Sequence, residues 1–343
     1  MVYLSLAARI LVNVEALNMV ESVGNVTRHR RATFIVPRDS GGYVKVEAPA
    51  ISGETIAHAY QELLAYLALK TYPSGKAPLC QWCARGEFIK SADQKHTIPG
   101  GEDIKDPIEF EKFVIKSCLV EDIGGFLRAE RPPSKRTSRF SVGYMIPTYD
   151  TIEHTVLESQ FHARHVPTEA LKEEARERRA AAQMIYYVET GSAVYGFNFN
   201  IDLGTIGHSS LEKVEKVVDD NDYANRVKIA LDALYLLLTN ADFGAKRTRF
   251  LPFIEIRSAL AAISRPVQFN VLPPSRPTFI KDTAEKLQIF KKMVDDLGIS
   301  EDVTLIAFSE EEAVEIPSGI ESVGSIDELM KRVYEKVKAL LNI

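Results

Sequence analysis

Apolar and polar residues alternate near the start of the chain. In Ala8-Arg9-Ile10-Leu11-Val12-Asn13-Val14-Glu15-Ala16-Leu17, the residues Ile10, Val12, Val14 and Ala16 share one face of an extended segment, which predicts a half-buried strand. The polar stretch Asn18 to Arg31, with Gly24-Asn25 inside it, predicts a loop leaving that strand. A second strand or hairpin is expected through Ala32 to Pro49. Ser52 then stands where an N-cap belongs, ahead of Ile56, Tyr60, Leu63, Leu64 and Leu67 at helical spacing, with His58, Gln61 and Ala65 on the opposite face. Val188 to Ile201 reads as an amphipathic strand, with Tyr195, Phe197, Phe199 and Ile201 on one side. Asp222 to Thr239 carries Val227, Leu231, Leu234, Tyr235 and Leu238 at helical spacing, and Phe250 to Ile263 returns to strand character. The order β, α, β then β, α, β predicts an α+β fold, an RRM-like or ferredoxin-like palm (βαββαβ) with two helices on one face.

The palm is expected to be discontinuous, built from residues 1–70 and 158–265. Between them, residues 71–157 lose periodicity and gather prolines and glycines, which predicts an inserted subdomain. Within it, Arg136 to Pro147 alternates bases with β-forming residues and reads as an extended arm. Glu158 to His165 reads as a short strand, and the Glu-, Arg- and Ala-rich stretch Glu169 to Gln183 fits a solvated helix, an exposed excursion or a loop. Residues 266–343 are expected to add helices near Asp282 to Leu297 and Ser325 to Leu341 around a strand at Val303 to Phe308.

Composition narrows the class. With 45% hydrophobic and 26% charged residues over 343 positions, general disorder is excluded. No apolar run approaches the roughly 20 residues that span a bilayer, and Arg9 and Glu15 interrupt the first apolar stretch, so no membrane partner is expected and the cytoplasm is the default compartment. Cys80, Cys83 and Cys118 are too few and odd in number for a secreted disulfide framework. The net charge of −5 is unevenly spread: residues 281–343 hold 14 acids against 8 bases, whereas the first 280 hold 33 against 34. Bases gather at Arg28-His29-Arg30-Arg31, at Arg128, Arg131, Lys135, Arg136 and Arg139, and at Lys246, Arg247 and Arg249.

These stretches fall in expected loops or in the arm, where Lys and Arg neutralise phosphates, and Phe126, Phe140, Tyr144, Phe243 and Phe250 lie among them as candidate stacking groups for unpaired bases. Gln160, His162 and Arg164 would share a strand face suited to a nucleotide, with His165 on the other face. Cys80-x-x-Cys83 with His96 and Cys118 offers four zinc ligands in principle, but at irregular spacing. Packed free thiols lead that reading, with a disulfide as a further alternative, and no metal or cofactor is assigned. Phe243 to Thr248 lacks the glycines of a phosphate-binding loop, and neither a two-metal carboxylate cluster nor a G-x-S-x-G elbow is present. No catalytic residue is assigned.

Taken together, Asn13 to Asn18, Gly24 to Arg30, Ile51 to Tyr60, Arg136 to Arg139, Gly143 to Pro147, Gln160 to His162 and Phe243 to Phe250 resemble the DevR-type autoregulator family of CRISPR-associated proteins. Within it they resemble the archaeal type I-A subunits that form the backbone of the Cascade surveillance complex. The likeness runs in order through roughly residues 8–260. It implies a crescent-shaped RRM-like palm that polymerises head to tail on a CRISPR guide RNA, meets other Cascade subunits, and leaves recognition of target DNA to base pairing. The matching positions, and hence the expected RNA contacts, are Asn25, Arg28, His29, Arg30, Arg31, Ser52, His58, Arg136, Arg139, Gln160, His162, Lys246, Arg247 and Arg249. Similar subunits of RNA-cleaving type III complexes place a catalytic Asp in the loop after the first strand, where this chain has Asn25, with Glu21 nearby. An amide cannot act as a general base, so no nuclease activity is expected. The competing readings are a repeat-processing endoribonuclease using His29 or His162, and an α+β protein with a small-molecule pocket.

Overall fold

The computed structural model describes residues 1–38, 40–130, 133–163 and 185–343. Arg131, Arg164, His165 and the stretch Glu169 to Gln183 lie outside the described residues. In chain order the elements begin with β1 (Tyr3–Glu15), β2 (Met19–Val23), β3 (Val26–His29), β4 (Arg31–Pro37), β5 (Tyr43–Pro49) and α1 (Gly53–Thr71). Residues 71–157 hold α2 (Gln81–Ala84), α3 (Pro107–Ser117), α4 (Leu119–Gly124), β6 (Phe126–Arg128), β7 (Ser134–Arg136), β8 (Phe140–Val142) and β9 (Ile146–Pro147). The remainder comprises β10 (Val156–Ala163), β11 (Ile185–Asp202), α5 (Asp220–Thr239), β12 (Phe253–Arg265), α6 (Phe279–Asp296), β13 (Asp302–Ser309), β14 (Glu321–Ser322) and α7 (Ile326–Leu341).

Among the described residues these form a mixed α/β fold around a ten-stranded mixed sheet, in the order β14-β13-β12-β1-β11-β3-β2. The spine is β11. One edge pairs antiparallel with β1 and then parallel with β3; the other pairs antiparallel with β10, β9 and β8 in turn. The apolar faces predicted for β1 and β11 meet α1 and α5: Leu6, Ala8, Ile10, Tyr195, Phe197 and Phe199 share one core with Ile56, Tyr60, Leu64, Val227 and Leu234, and with Val333 of α7. The opposite face of β1, β12 and β13 is covered by α6, where Ala7, Leu260 and Ala262 pack with Phe279 and Ile280. Because β13 pairs with β12 from Ser258 to Arg265, the acidic C-terminal stretch extends the same sheet.

The alternation of β1 breaks at its end. The register shifts between Val12 and Glu15, and Val14 takes φ 55° and turns out to solvent. That bulge sends Glu15 inward, where it accepts from Tyr195 Oη at 2.9 Å and lies 2.7 Å from His29 Nε2. The expected loop from Asn18 to Arg31 is instead the β2–β3 hairpin, turned at Gly24 with φ 61°. Gln61 and Ala65, placed by periodicity on the polar face of α1, are buried because α4 packs against that helix. The expected arm is extended but not free. Its Arg136 and Phe140 are buried, β7 pairs with β6, and β8 and β9 lie along β11.

Candidate nucleic-acid interface

The corner where β1 hands over to the β2–β3 hairpin is pinned by one amide. Asn18 accepts the Ser52 N–H through Oδ1 at 2.8 Å, and its carbonyl accepts the Arg30 N–H at 2.7 Å. Ser52 is buried and caps α1 by accepting the Thr55 N–H, so its hydroxyl is committed to the helix. Around this corner lies a depression of about 530 Å³ whose lining includes Asn18, Arg30, Thr55, His58, Gly244 and Ala245. The loop after α5 enters it because the Ala245 N–H donates to the Leu17 carbonyl at 2.7 Å. Gly244 makes this approach at φ 85°, with its ideal Cβ position only 2.5 Å from that same carbonyl oxygen. Gly244→Ala therefore is expected to cost about 2 kcal/mol or more, combining left-handed backbone strain with a backbone clash. Urea denaturation checks this, and a variant as stable as the parent would contradict the close approach.

The same loop reaches a second group. Phe250 stands edge-on to His162 with ring centroids 5.4 Å apart, and His162 stacks on Tyr186 at 5.1 Å. His162 Nε2 is buried without a hydrogen-bond partner. On the alternate register position Phe161 meets Tyr187 and is more than half exposed. Gln160, two residues before His162, donates to Glu158 Oε1. Asn25 lies at this end too: its Nδ2 donates to the Ile185 carbonyl at 3.3 Å, and its own carbonyl accepts the Tyr187 N–H at 2.8 Å. The amide thus docks the hairpin tip on β11, while Glu21 faces Arg28 at 3.5 Å.

The expected contacts divide by what already holds them. Arg31 is paired with Glu47 and Glu189, Arg247 with Asp242, and His58 faces Glu62 at 3.3 Å. Arg30, Lys246, Arg249 and Arg139 have no carboxylate ion pair among the described residues, and Arg30 Nε together with Arg139 Nε and Nη2 are buried donors without acceptors. Burial lowers the pKa of Lys246; for Arg139 burial does so first, and the nearby Arg136 charge adds to it. A phosphate at either site would supply the missing counter-charge and acceptor.

Besides Ser52, whose hydroxyl is buried in the helix cap, two expected contacts are corrected. His29 is enclosed between Glu15, the Arg30 carbonyl and Glu189, which accepts its backbone N–H, leaving no surface for a phosphate. Arg136 is buried against Asp122, Glu111 and the His208 carbonyl, and works as an internal strut. Arg139 is separated from the rest: it adjoins Asp202, whereas His162 lies opposite Tyr186, and the 16 residue steps of β11 from one to the other measure about 50 Å of strand. Of the proposed stacking aromatics, Phe126, Phe140 and Phe243 are core residues, while Tyr144 is exposed and within 3.5 Å of Arg30. Sequence reading missed Phe161, Tyr186 and Tyr187. The signal was the aromatic pair directly ahead of the predicted strand at Val188, a pair that belongs to β11, which starts at Ile185.

The family model described as CRISPR-associated negative auto-regulator DevR/Csa2 matches residues 6–286. The chain is 34% identical over 338 residues to the CRISPR-associated aCascade subunit Cas7/Csa2 2 of Saccharolobus solfataricus, covering 96% of this chain and 99% of that protein. It is 38% identical over 274 residues to the CRISPR-associated protein Cas7/Csa2 1 of the same organism, covering 79% and 81%. A chain from a solved CRISPR RNA-guided surveillance complex in a pre-nicking state is similar in fold, with a TM-score of 0.53 at 12% identity, covering 97% of this chain and 99% of that one.

Proposed function

The chain belongs to the CRISPR-associated negative auto-regulator DevR/Csa2 family, and from that premise we propose that it is a non-catalytic backbone subunit of a type I-A Cascade-like surveillance complex. In this reading it holds a CRISPR guide RNA by phosphate and shape, multimerises along it, contacts other subunits, and leaves target DNA to the guide. The order β12-β1-β11 with β8 to β10 beyond, crossed on one face by α1 and α5, supports a βαββαβ palm at the centre. Its opposite face is covered over β1, β12 and β13 by α6, so RNA is assigned to the corner and the β11 end rather than to that part of the sheet. The observation that carries the assignment is the loop from Ala241 to Phe250. It joins the Arg30 depression to the His162 and Tyr186 stack, and brings with it Lys246 and Arg249, cations without a carboxylate partner among the described residues.

The test is binding of a labelled single-stranded guide-length RNA across a salt series. A linear fall of log affinity with log salt, nearly independent of RNA sequence, is expected. Undetectable binding at low salt by folded protein would overturn the reading. Incubation with repeat RNA separates it from an endoribonuclease: specific cleavage abolished by His162→Ala would favour the enzyme. His29 is a poor general base here, since both ring nitrogens are already engaged inside the protein.

A further inference from the structure

We propose that Cys80, Cys83, Cys118 and Glu121 form a structural zinc site that staples the inserted subdomain. The four donor atoms, one from each side chain, lie within 4.8 Å of one another, and all four residues are buried. It is the one such group of three or more candidate ligands among the described residues. Tetrahedral zinc with Zn–S bonds near 2.3 Å sets its sulfurs about 3.8 Å apart, so small side-chain adjustments close the site. Three thiolates with one carboxylate suit zinc. Iron–sulfur clusters ordinarily take four thiolates, and magnesium or calcium would want oxygen ligands.

Packed free thiols do not account for the placing of a carboxyl group among them. Glu121 is fully buried; Oε1 receives the Cys80 thiol at 3.4 Å, the Ser91 side chain stands beside the carboxyl group, and Oε2 has no hydrogen-bond partner. A carboxyl group so placed is either held protonated or joined by a cation, and the three thiols converging beside it favour the cation. The local backbone is arranged for thiolates as well: the Cys83 N–H points at Cys80 Sγ, 3.4 Å away. Lys90, half-buried and donating to the Gly124 carbonyl at 3.0 Å, stands near Cys83, Cys118 and Glu121, where an ammonium would offset part of the two negative charges by which four anionic ligands exceed the ion.

The ligands come from two separate parts of residues 71–157. Cys80 and Cys83 frame α2, while Cys118 and Glu121 sit at the junction of α3 and α4, where Leu119 N–H already meets the Pro78 carbonyl at 2.7 Å. The fourth ligand departs from the sequence expectation. His96 is bonded to Asp93 at 2.8 Å and stands against Trp82, and it is not among the converging donors.

The experiment is elemental analysis of the full chain purified under reducing conditions without added metal, with about one zinc per chain expected. The metal-stripped protein titrated with cobalt should then develop thiolate charge-transfer bands and the visible absorption of a tetrahedral centre. Glu121→Gln should weaken zinc binding by more than the ~10–100-fold typical of losing a supporting outer partner, whereas His96→Ala should leave it unchanged. Absence of stoichiometric metal together with absence of cobalt bands would overturn the site, as would a Cys80–Cys83 cystine in the native protein. Loss of metal in His96→Ala with retention in Glu121→Gln would overturn the ligand set. Because wild-type protein carries the first two readouts, a cysteine variant that fails to fold does not decide the matter, and none of these outcomes depends on RNA binding.

Discussion

Asp122→Asn is expected to destabilise the protein by about 3–5 kcal/mol, the cost of uncoupling a buried ion pair from one side. The Asp122 carboxylate is fully buried and accepts from Arg136 Nη2, from Arg226 Nη1 at 2.8 Å and from the Gly207 N–H at 2.9 Å. It therefore ties α4 to β7, to α5 and to the turn after β11. Both guanidinium groups are themselves buried, so neither can turn to water when the carboxylate charge is removed. Arg226 keeps Asp222, partly exposed at 3.0 Å, and Arg136 keeps Glu111 at 3.1 Å, which together blunt the loss without cancelling it. Urea denaturation followed by circular dichroism measures the change, with Asp222→Asn as a milder companion. A cost under about 1 kcal/mol would show that the three-way tie contributes little. By the same geometry Arg136→Ala should lose folded protein before it loses affinity for RNA.

Replacing Arg30, Lys246 and Arg249 together with Gln is expected to weaken RNA binding on the order of 100-fold at about 0.1 M salt. Each phosphate contact to a single strand contributes a salt slope of about 0.7, which at that salt is roughly fivefold per cation. The slope of log affinity against log salt should flatten by about 2. These three are chosen because none has a carboxylate ion pair among the described residues. Arg31→Gln is the control: with Glu47 and Glu189 already neutralising it, its removal should change affinity far less. An equal effect from Arg31→Gln, or no effect from the triple variant while circular dichroism shows it folded, would move the RNA path elsewhere on the molecule.

Legibility in the sequence followed the range of the interaction concerned. Helix α1 and its Ser52 cap, helix α5, strands β11 and β12 and the C-terminal α6, β13 and α7 all lie close to where periodicity put them, because capping and amphipathic patterning act within a few residues. The β2–β3 hairpin was misread as a loop. Its strands are short and β2 is mostly exposed, and β3 finds its place only by pairing with β11, some 160 residues away. Val14 was misplaced because a single bulge reverses which side chains face inward.

The basic stretches show the division most clearly. That arginines and histidines concentrate at three places is a fact of the sequence, as are the family likeness and the grouping of cysteines. Which of them remain available to a ligand was decided by the fold. Arg136 and His29 carry charge-bearing groups as Arg30 and Arg249 do, but lie beside carboxylates brought from Glu111, Asp122 and Glu15. Likewise, Cys80 acquires Glu121 as a neighbour across 41 residues, with His96 left outside. Local pattern records how a segment folds, since its causes lie within a turn or a strand pair. The role of a charged or metal-binding group is set by what stands within about 4 Å of it, and those neighbours come from anywhere in the chain.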